Sequence, residues 1–203
     1  ELAGAAGAER ALEYARVVGR LHGRMTILPM RFGCFVRRRE AAKEFLRSHE
    51  REFSEALATL EGCDEVGLRV LLPGSRAIER SDARTGTAYL ADRRRYYERQ
   101  ALAERTCSAW AERARAAFAG MFRHSSWEHV DRPEGVLLSL SFLVEKSVTP
   151  AVLEACRKFR SEHAAEVASI CTGPWPPYVF VAGLVKPETV DRAEREFIAT
   201  WKG

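Results

Sequence analysis

The sequence GPWPPY at residues 173–178 leads directly into the apolar run VFVAGL at residues 179–184. Proline fixes the backbone φ angle, lacks an N–H donor and disfavours a helical conformation in the residue before it. Three prolines within four residues therefore predict a stiff, extended connector that ends in an apolar strand over residues 178–185. Such a connector either covers a hydrophobic core or presents its aromatic residues, Trp175 and Tyr178, to a partner.

The rest of the chain combines helical and strand patterns. Apolar residues spaced three and four apart predict amphipathic helices, whereas apolar residues at every second position predict strands. The predicted helices cover residues 9–22, 38–60, 87–122, 149–169 and a segment from Pro187 onward. The strands are predicted over residues 25–32, 66–72, 136–144 and 178–185, and a polar loop over residues 75–84. From residue 63 the order reads β-α-β-α-β-α, which suits a modified ferredoxin-like α+β domain.

The longest predicted helix, at residues 87–122, has two different halves. At 1.5 Å per residue it would reach roughly 54 Å, so part of it is expected to project from the domain. An apolar packing seam is confined to its second half and consists of Ala103, Cys107, Trp110, Ala114, Ala117 and Met121. The first half carries RRRYY at residues 93–97 instead, which is either a solvated charged face or a docking surface, since Tyr and Arg are enriched at interfaces.

Composition limits the classes of protein to which the chain can belong. Its 203 residues are 46% hydrophobic and 30% charged, as is usual for a globular protein. No apolar run approaches the roughly 20 residues that span a bilayer, and the first residues lack the features of a signal peptide. The five scattered cysteines predict free thiols in a reducing cytoplasm. The net charge of +4 is uneven, because residues 84–123 hold nine arginines against four acidic residues.

We find no motif for catalysis, for a cofactor or for a metal. Phosphate-binding loops, dinucleotide-binding glycine motifs and nucleophile elbows are all absent from the sequence. The five histidines lack metal-ligand spacing, and His49 and His163 fall on apolar faces where a hydrogen-bonded core histidine is the expected role. A cysteine that meets a histidine in space is the one reactive arrangement that spacing does not exclude. The sequence therefore predicts a protein that is not an enzyme and binds no cofactor and no metal.

Four segments together resemble the gas vesicle accessory proteins of the GvpF/GvpL family. They are TILPMRFG at residues 26–33, GTAYL at 86–90, LSFLV at 140–144 and GPWPPY. The resemblance extends from about Ala11 to the C-terminus. It implies an α+β fold, with a modified ferredoxin-like domain at residues 63–203 and a smaller α+β domain at residues 1–62. The family normally begins with further strands, whereas this chain opens with LAGAAGA at residues 2–8, so we expect the N-terminal domain to be incomplete.

The same resemblance implies a role in building gas vesicles, whose main shell subunit is small and very apolar. Such a subunit aggregates unless another protein holds its exposed surface. The resemblance implies a minor shell component or assembly factor that binds this subunit, acts with other gas vesicle accessory proteins and resides in the cytoplasm and at the gas vesicle. The residues predicted to bind the partner are Arg93, Arg94, Arg95, Tyr96, Tyr97, Trp175 and Tyr178. The arginines would pair with acidic residues of the subunit, and Trp175 and Tyr178 would supply an aromatic anchor.

Two other hypotheses use the same long helix. A nucleic-acid-binding module would bind phosphates through the arginines and stack bases on the tyrosines. It is disfavoured because the chain lacks an RNA-recognition strand motif and because four acidic residues interrupt the helix. A homodimer through Ala103, Trp110 and Ala117 is the other hypothesis, and intramolecular packing of that seam is its simpler alternative. We therefore predict neither nucleic acid nor a lipid membrane as a partner.

Overall fold

The structure, a computed structural model, describes residues 5–33, 38–73 and 86–184. The helices are α1 (Ala5–His22), α2 (Arg39–Ser48), α3 (Glu50–Leu60), α4 (Gly86–Ala117), α5 (Thr149–Glu162) and α6 (Tyr178–Leu184). The strands are β1 (Cys63–Pro73), β2 (His124–Arg132), β3 (Gly135–Glu145) and β4 (Ala168–Trp175). The predicted α+β class is confirmed. The predicted loop at residues 75–84 and the helix from Pro187 onward lie outside the described residues.

The four strands form one sheet in the order β2-β3-β1-β4. From β1 the chain reads β-α-β-β-α-β, which is the ferredoxin-like split βαβ arrangement. The sequence had predicted β-α-β-α-β-α, and the difference is strand β2, which the pattern did not reveal. Strand β2 pairs antiparallel with β3 from His124 opposite Leu143 to Arg132 opposite Gly135, so Pro133 and Glu134 form a two-residue hairpin turn.

Helices α4 and α5 and the sheet enclose one hydrophobic core. Its fully buried rings include Phe118, Phe142 and Phe159, and the rings of Phe118 and Phe142 meet edge to face at 5.0 Å. Strands β1 and β4 approach so closely that a Cβ atom on Gly67 would lie 2.6 Å from the Thr172 Oγ1 atom. A glycine is therefore required at this point of β1 unless Thr172 turns away.

The chain divides into two compact units. One, which we call the ferredoxin-like unit, is Val66–Gly173, and the other, the terminal unit, comprises the described residues up to Glu65 and from Pro174 onward. All members of the core cluster belong to the ferredoxin-like unit. The domain boundary that we predicted between residues 62 and 63 stays a prediction.

The predicted strand at residues 25–32 is wrong, because the structure assigns no regular element there. Pro29 cannot donate to a strand ladder, and the Met30 carbonyl accepts a hydrogen bond of 2.7 Å from the Tyr14 hydroxyl on α1. The helix predicted over residues 38–60 is two helices that meet at His49, where φ is −116° and ψ is 20°. Before Cys63 the described residues form three helices and no strand.

Three helices later in the chain, α4, α5 and α6, also differ from the prediction. The long helix ends at Ala117 rather than near residue 122, and Gly120 follows with a φ of +78°, which favours glycine. Helix α5 ends at Glu162, and β4 occupies part of the segment that we predicted as helix. The apolar run after GPWPPY is helix α6 and not a strand. Proline has the φ of a first helical turn, so Pro176 and Pro177 favour a helix start as well as an extended connector.

Candidate partner-binding surface

Helix α4 carries one continuous face from its exposed half into the core. Residues advance by 100° per position around a helix, so Tyr89, Arg93, Tyr96 and Gln100 lie above Cys107, Ala111 and Ala114 on the same side. Cys107, Ala111 and Ala114 are fully buried. Tyr89, Tyr96 and Tyr97, in contrast, are 54%, 49% and 51% exposed. The face that packs the core in one half of α4 therefore reaches solvent in the other half.

Side-chain hydrogen bonds order this exposed face. We call Tyr89, Arg93, Tyr96, Tyr97 and Gln100 the tyrosine–arginine stripe. The Arg93 guanidinium donates to the Tyr97 hydroxyl at 2.9 Å and to the Tyr89 hydroxyl at 3.3 Å. Gln100 donates to the Tyr96 hydroxyl at 2.7 Å, and the Tyr96 and Tyr97 rings meet edge to face at 5.7 Å. These contacts limit the rotamers of the aromatic side chains, which reduces the entropy lost when a partner binds.

The three consecutive arginines do not share one environment. The Arg94 Nε atom lies 2.8 Å from Glu98, and the Arg95 Nη1 atom lies 3.6 Å from Asp92, so both guanidinium groups face a carboxylate on α4. Arg93 contacts two phenols instead, and its hydrogen bond to Tyr97 raises the pKa of Arg93 above its ordinary value. Within the described part of the chain, Arg93 is thus the one of the three arginines without a carboxylate partner.

The remaining predicted binding residues, Trp175 and Tyr178, belong to the terminal unit. Trp175 is 50% exposed, whereas the two prolines that follow it, Pro176 and Pro177, are buried. Tyr178 is partly buried, and its burial, together with nearby Tyr14 and Glu65, raises the pKa of its hydroxyl. Only Trp175 of this pair therefore presents a largely accessible aromatic surface, and the role of both residues stays a prediction.

Sequence reasoning missed a buried polar cluster in the terminal unit. The Glu65 Oε2 atom accepts a hydrogen bond of 2.9 Å from the backbone N–H of Val179 in the first turn of α6. The neighbouring Asp64 lies 2.9 Å from the His22 ring on α1. Two acidic residues at the start of a mostly apolar strand were the available signal, because buried carboxylates need partners. These contacts fix α6, which begins three residues after Trp175.

Among the described residues, no three His, Cys, Asp or Glu side chains come together in a way that would hold a metal ion. His49, which is 4% exposed, lies 3.0 Å from the Phe45 carbonyl, as expected of a hydrogen-bonded core histidine. His163 packs on Phe159 and Trp110 and lies 3.0 Å from a Glu166 oxygen.

The described helices also bear on membrane insertion. Across residues 5–33, 38–73 and 86–184, none combines the length and the apolar character that a bilayer span requires.

Comparisons with known proteins agree with the resemblance that the motifs suggested. The family model described as gas vesicle synthesis protein GvpL/GvpF matches residues 2–182. The fold is similar to the crystal structure of gas vesicle protein GvpF from Microcystis aeruginosa, with a TM-score of 0.65, 13% identity and coverage of 89% of this chain and 80% of that one. GvpF from Anabaena sp. PCC7120 gives a TM-score of 0.64 at 12% identity, with 89% and 78% covered. No curated protein sequence gives a significant match.

Proposed function

Because this chain belongs to the gas vesicle synthesis protein GvpL/GvpF family, we propose that it assists gas vesicle assembly by binding the main apolar shell subunit. In this proposal it limits aggregation of the subunit and helps to nucleate or extend the shell. Other gas vesicle accessory proteins are further partners in the same process. The protein would accordingly act in the cytoplasm and at the growing vesicle.

The observation that carries this proposal is the tyrosine–arginine stripe on α4. Three half-exposed phenol rings and exposed Leu90 lie on the same half of the helix, whereas exposed Leu102 lies on its opposite side. Exposed apolar and aromatic side chains of this kind mark interaction sites when they are grouped on one element. Their mutual hydrogen bonds order the surface before a partner arrives. The stripe thus combines apolar contact area with a single charged group.

That single charge gives the proposal a specific contact. A guanidinium that faces two neutral phenols keeps its full positive charge and can still donate to a carboxylate of a partner. We therefore assign to Arg93 the ion pair with an acidic residue of the shell subunit. Arg94 and Arg95 already face Glu98 and Asp92. Because these carboxylates offset the charges of the two arginines, the helix is less suited to binding phosphates. Trp175, on the terminal unit, is proposed as a second, aromatic contact.

Co-expression with the main shell subunit of the same gene cluster tests the proposal. We expect the two proteins to co-purify from the soluble fraction, and we expect reversal of Arg93, Arg94 and Arg95 to Glu to abolish the complex. Reversal of Arg16, Arg20 and Arg24, which are exposed in the terminal unit, is the charge-matched control. Unchanged binding by the Arg93, Arg94 and Arg95 variant would exclude α4 as the surface that binds the shell subunit. If nuclease treatment dissociates the complex, the result would instead favour the hypothesis of a nucleic-acid-binding module.

A further inference from the structure

Strand β2 lies at one edge of the sheet. Its inner side pairs with β3, and no other strand among the described residues pairs with its outer side. Proline, lysine or a short length commonly protects such an edge from pairing with another chain. The nine residues of β2 include neither proline nor lysine. Strand β4, at the opposite edge, carries Gly173 at a φ of +116° and Pro174, which lacks an N–H donor. Of the two edges, β2 is thus the better template for a further strand.

The hairpin to β3 determines which backbone groups of β2 point outward. Arg132 and Gly135 flank the two-residue turn and form a hydrogen-bonded pair, and such pairs alternate along an antiparallel ladder. The even-numbered residues of β2 therefore bond to β3. Ser125, Trp127 and His129 are among the residues whose N–H and C=O groups point to the outer side, so a further strand must pair with these residues.

We propose that two copies of the protein form a homodimer by antiparallel pairing of their β2 strands, with Trp127 of one copy opposite Trp127 of the other at the two-fold axis. The two four-stranded sheets then become one continuous sheet. This surface differs from the α4 seam, whose Trp110 is buried in the core cluster. The homodimer does not depend on binding of the shell subunit to α4.

The charges of β2 favour this register over the longest one. A register centred on Glu128 would pair residues 124–132 throughout, but it would place two carboxylates directly opposite each other. A register centred on Trp127 pairs residues 124–130 and places Glu128 of each copy opposite Ser126 of the other. The Ser126 hydroxyl can donate a hydrogen bond to that carboxylate. The strand is therefore complementary to itself, which identifies a second copy as the fitting occupant.

The apolar side chains of β2 suit the same register. Val130, which is 46% exposed, lies opposite His124 of the other copy. Trp127 packs against the core cluster, so two Trp127 side chains at the axis extend the apolar contact from one copy to the other. A register centred on His129 would instead bring Pro133, which has no N–H, into the ladder.

Sedimentation of the full chain over a range of concentrations tests the homodimer. We expect a reversible equilibrium between monomer and dimer. Ser126→Glu places two carboxylates opposite each other twice in each dimer and should raise the dimer Kd by about fivefold or more. The double variant of Ser126→Glu with Glu128→Ser exchanges the two side chains, so it should restore the Kd of the unaltered protein. Both positions are exposed, which keeps the substitutions away from the core.

Cysteine cross-linking tests the register separately. Residues 126 and 128 of the two copies form a non-hydrogen-bonded pair, in which the Cα atoms lie about 4.5 Å apart and within the range of a disulfide. A mixture of Ser126→Cys and Glu128→Cys proteins should therefore cross-link under mild oxidation. Glu128→Cys alone should not, because its two copies are diagonal neighbours about 7–8 Å apart. A mixture of Glu128→Cys with Lys158→Cys, an exposed position on α5, is the control for random collision.

Several results would overturn the proposal. A protein that stays monomeric up to about 1 mM has no such homodimer. A dimer with the same Kd in Ser126→Glu does not pair through β2, and a double variant that fails to restore the Kd shows that residues 126 and 128 do not face each other. Cross-linking of Glu128→Cys alone, without cross-linking of the mixture, would indicate the register centred on Glu128.

Discussion

At the scale of single residues, Arg93 differs from Arg94 and Arg95 because its guanidinium faces two phenols and not a carboxylate. We expect Arg93→Gln to weaken binding of the shell subunit by about tenfold or more, because a hydrogen bond to a charged group contributes about 1.5–3 kcal/mol. Arg94→Gln is the matched control and should change the Kd little, since Arg94 already faces Glu98 at 2.8 Å. Titration of the complex measures both Kd values. Equal losses for both variants would show that net charge, and not the position of Arg93, controls binding.

Glu65 illustrates how a buried side chain holds an element in place. Glu65→Leu leaves the Val179 N–H without its acceptor and should lower the free energy of unfolding by about 1–3 kcal/mol. Glu65→Gln retains an acceptor oxygen and should lower it by much less. The midpoints of urea unfolding compare the two variants. If both variants lose the same stability, the charge of Glu65, and not the hydrogen bond to α6, is what stabilises the fold.

Glu166 links stability to pH. A hydrogen bond from His163, with Arg113 acting in the same direction, holds the pKa of Glu166 below its ordinary value of 4.5. The folded state therefore binds this proton less readily than the unfolded state, so the stabilisation is complete above pH 4.5 and is lost as the pH falls through the lower folded pKa. Glu166→Gln should flatten the dependence of unfolding free energy on pH in this acidic range. Glu162→Gln is the charge-matched control, and an unchanged slope in Glu166→Gln would contradict the assignment.

At the scale of elements, the two halves of α4 separate binding from stability. Trp110→Ala should cost about 3–5 kcal/mol of unfolding free energy, because the ring is buried against Phe159 and His163. Tyr96→Ala, on the exposed half, should change stability by less than about 0.5 kcal/mol but reduce binding of the shell subunit. Thermal or urea unfolding and co-purification measure the two effects. A large loss of stability in Tyr96→Ala would mean that the stripe serves the fold.

The elements also show how far the sequence could predict this fold. Strands β1 and β3, which have a strong apolar period, were predicted at nearly the correct positions, and α4 and α5 begin where they were predicted but end earlier. Strand β2 was missed because its side chains are mostly polar and its partner, β3, fixes it through the backbone. The apolar run of α6 suits a strand or a helix equally, and the decisive contact comes from Glu65, more than a hundred residues away in the chain. Arg93, Tyr96 and Tyr97 of the stripe were named from the sequence, but the addition of Tyr89 and Gln100 and the separation of Arg93 from Arg94 and Arg95 required their contacts.

At the scale of the whole molecule, the residues of the hydrophobic core cluster all come from one continuous segment of the chain. Every member of the core cluster lies between Val66 and Val167, and the four strands extend from Cys63 to Trp175. A fragment of residues 63–175 therefore contains the complete sheet and the helices that pack on it, and we expect it to unfold cooperatively on its own. Circular dichroism during urea unfolding measures this, and a broad transition without a midpoint would contradict the expectation.

A second fragment, of residues 63–203, decides between two places for the end of the domain. The sequence predicted that the C-terminal domain continues to residue 203, whereas the two compact units separate between Gly173 and Pro174. If the unit boundary is also the folding boundary, both fragments should have the same midpoint, because residues 176–203 add nothing to this core. A higher midpoint for the longer fragment would place the C-terminal segment in the domain as the sequence predicted. Since both fragments retain the tyrosine–arginine stripe, their binding of the shell subunit also measures what α4 contributes without α1, α2 and α3.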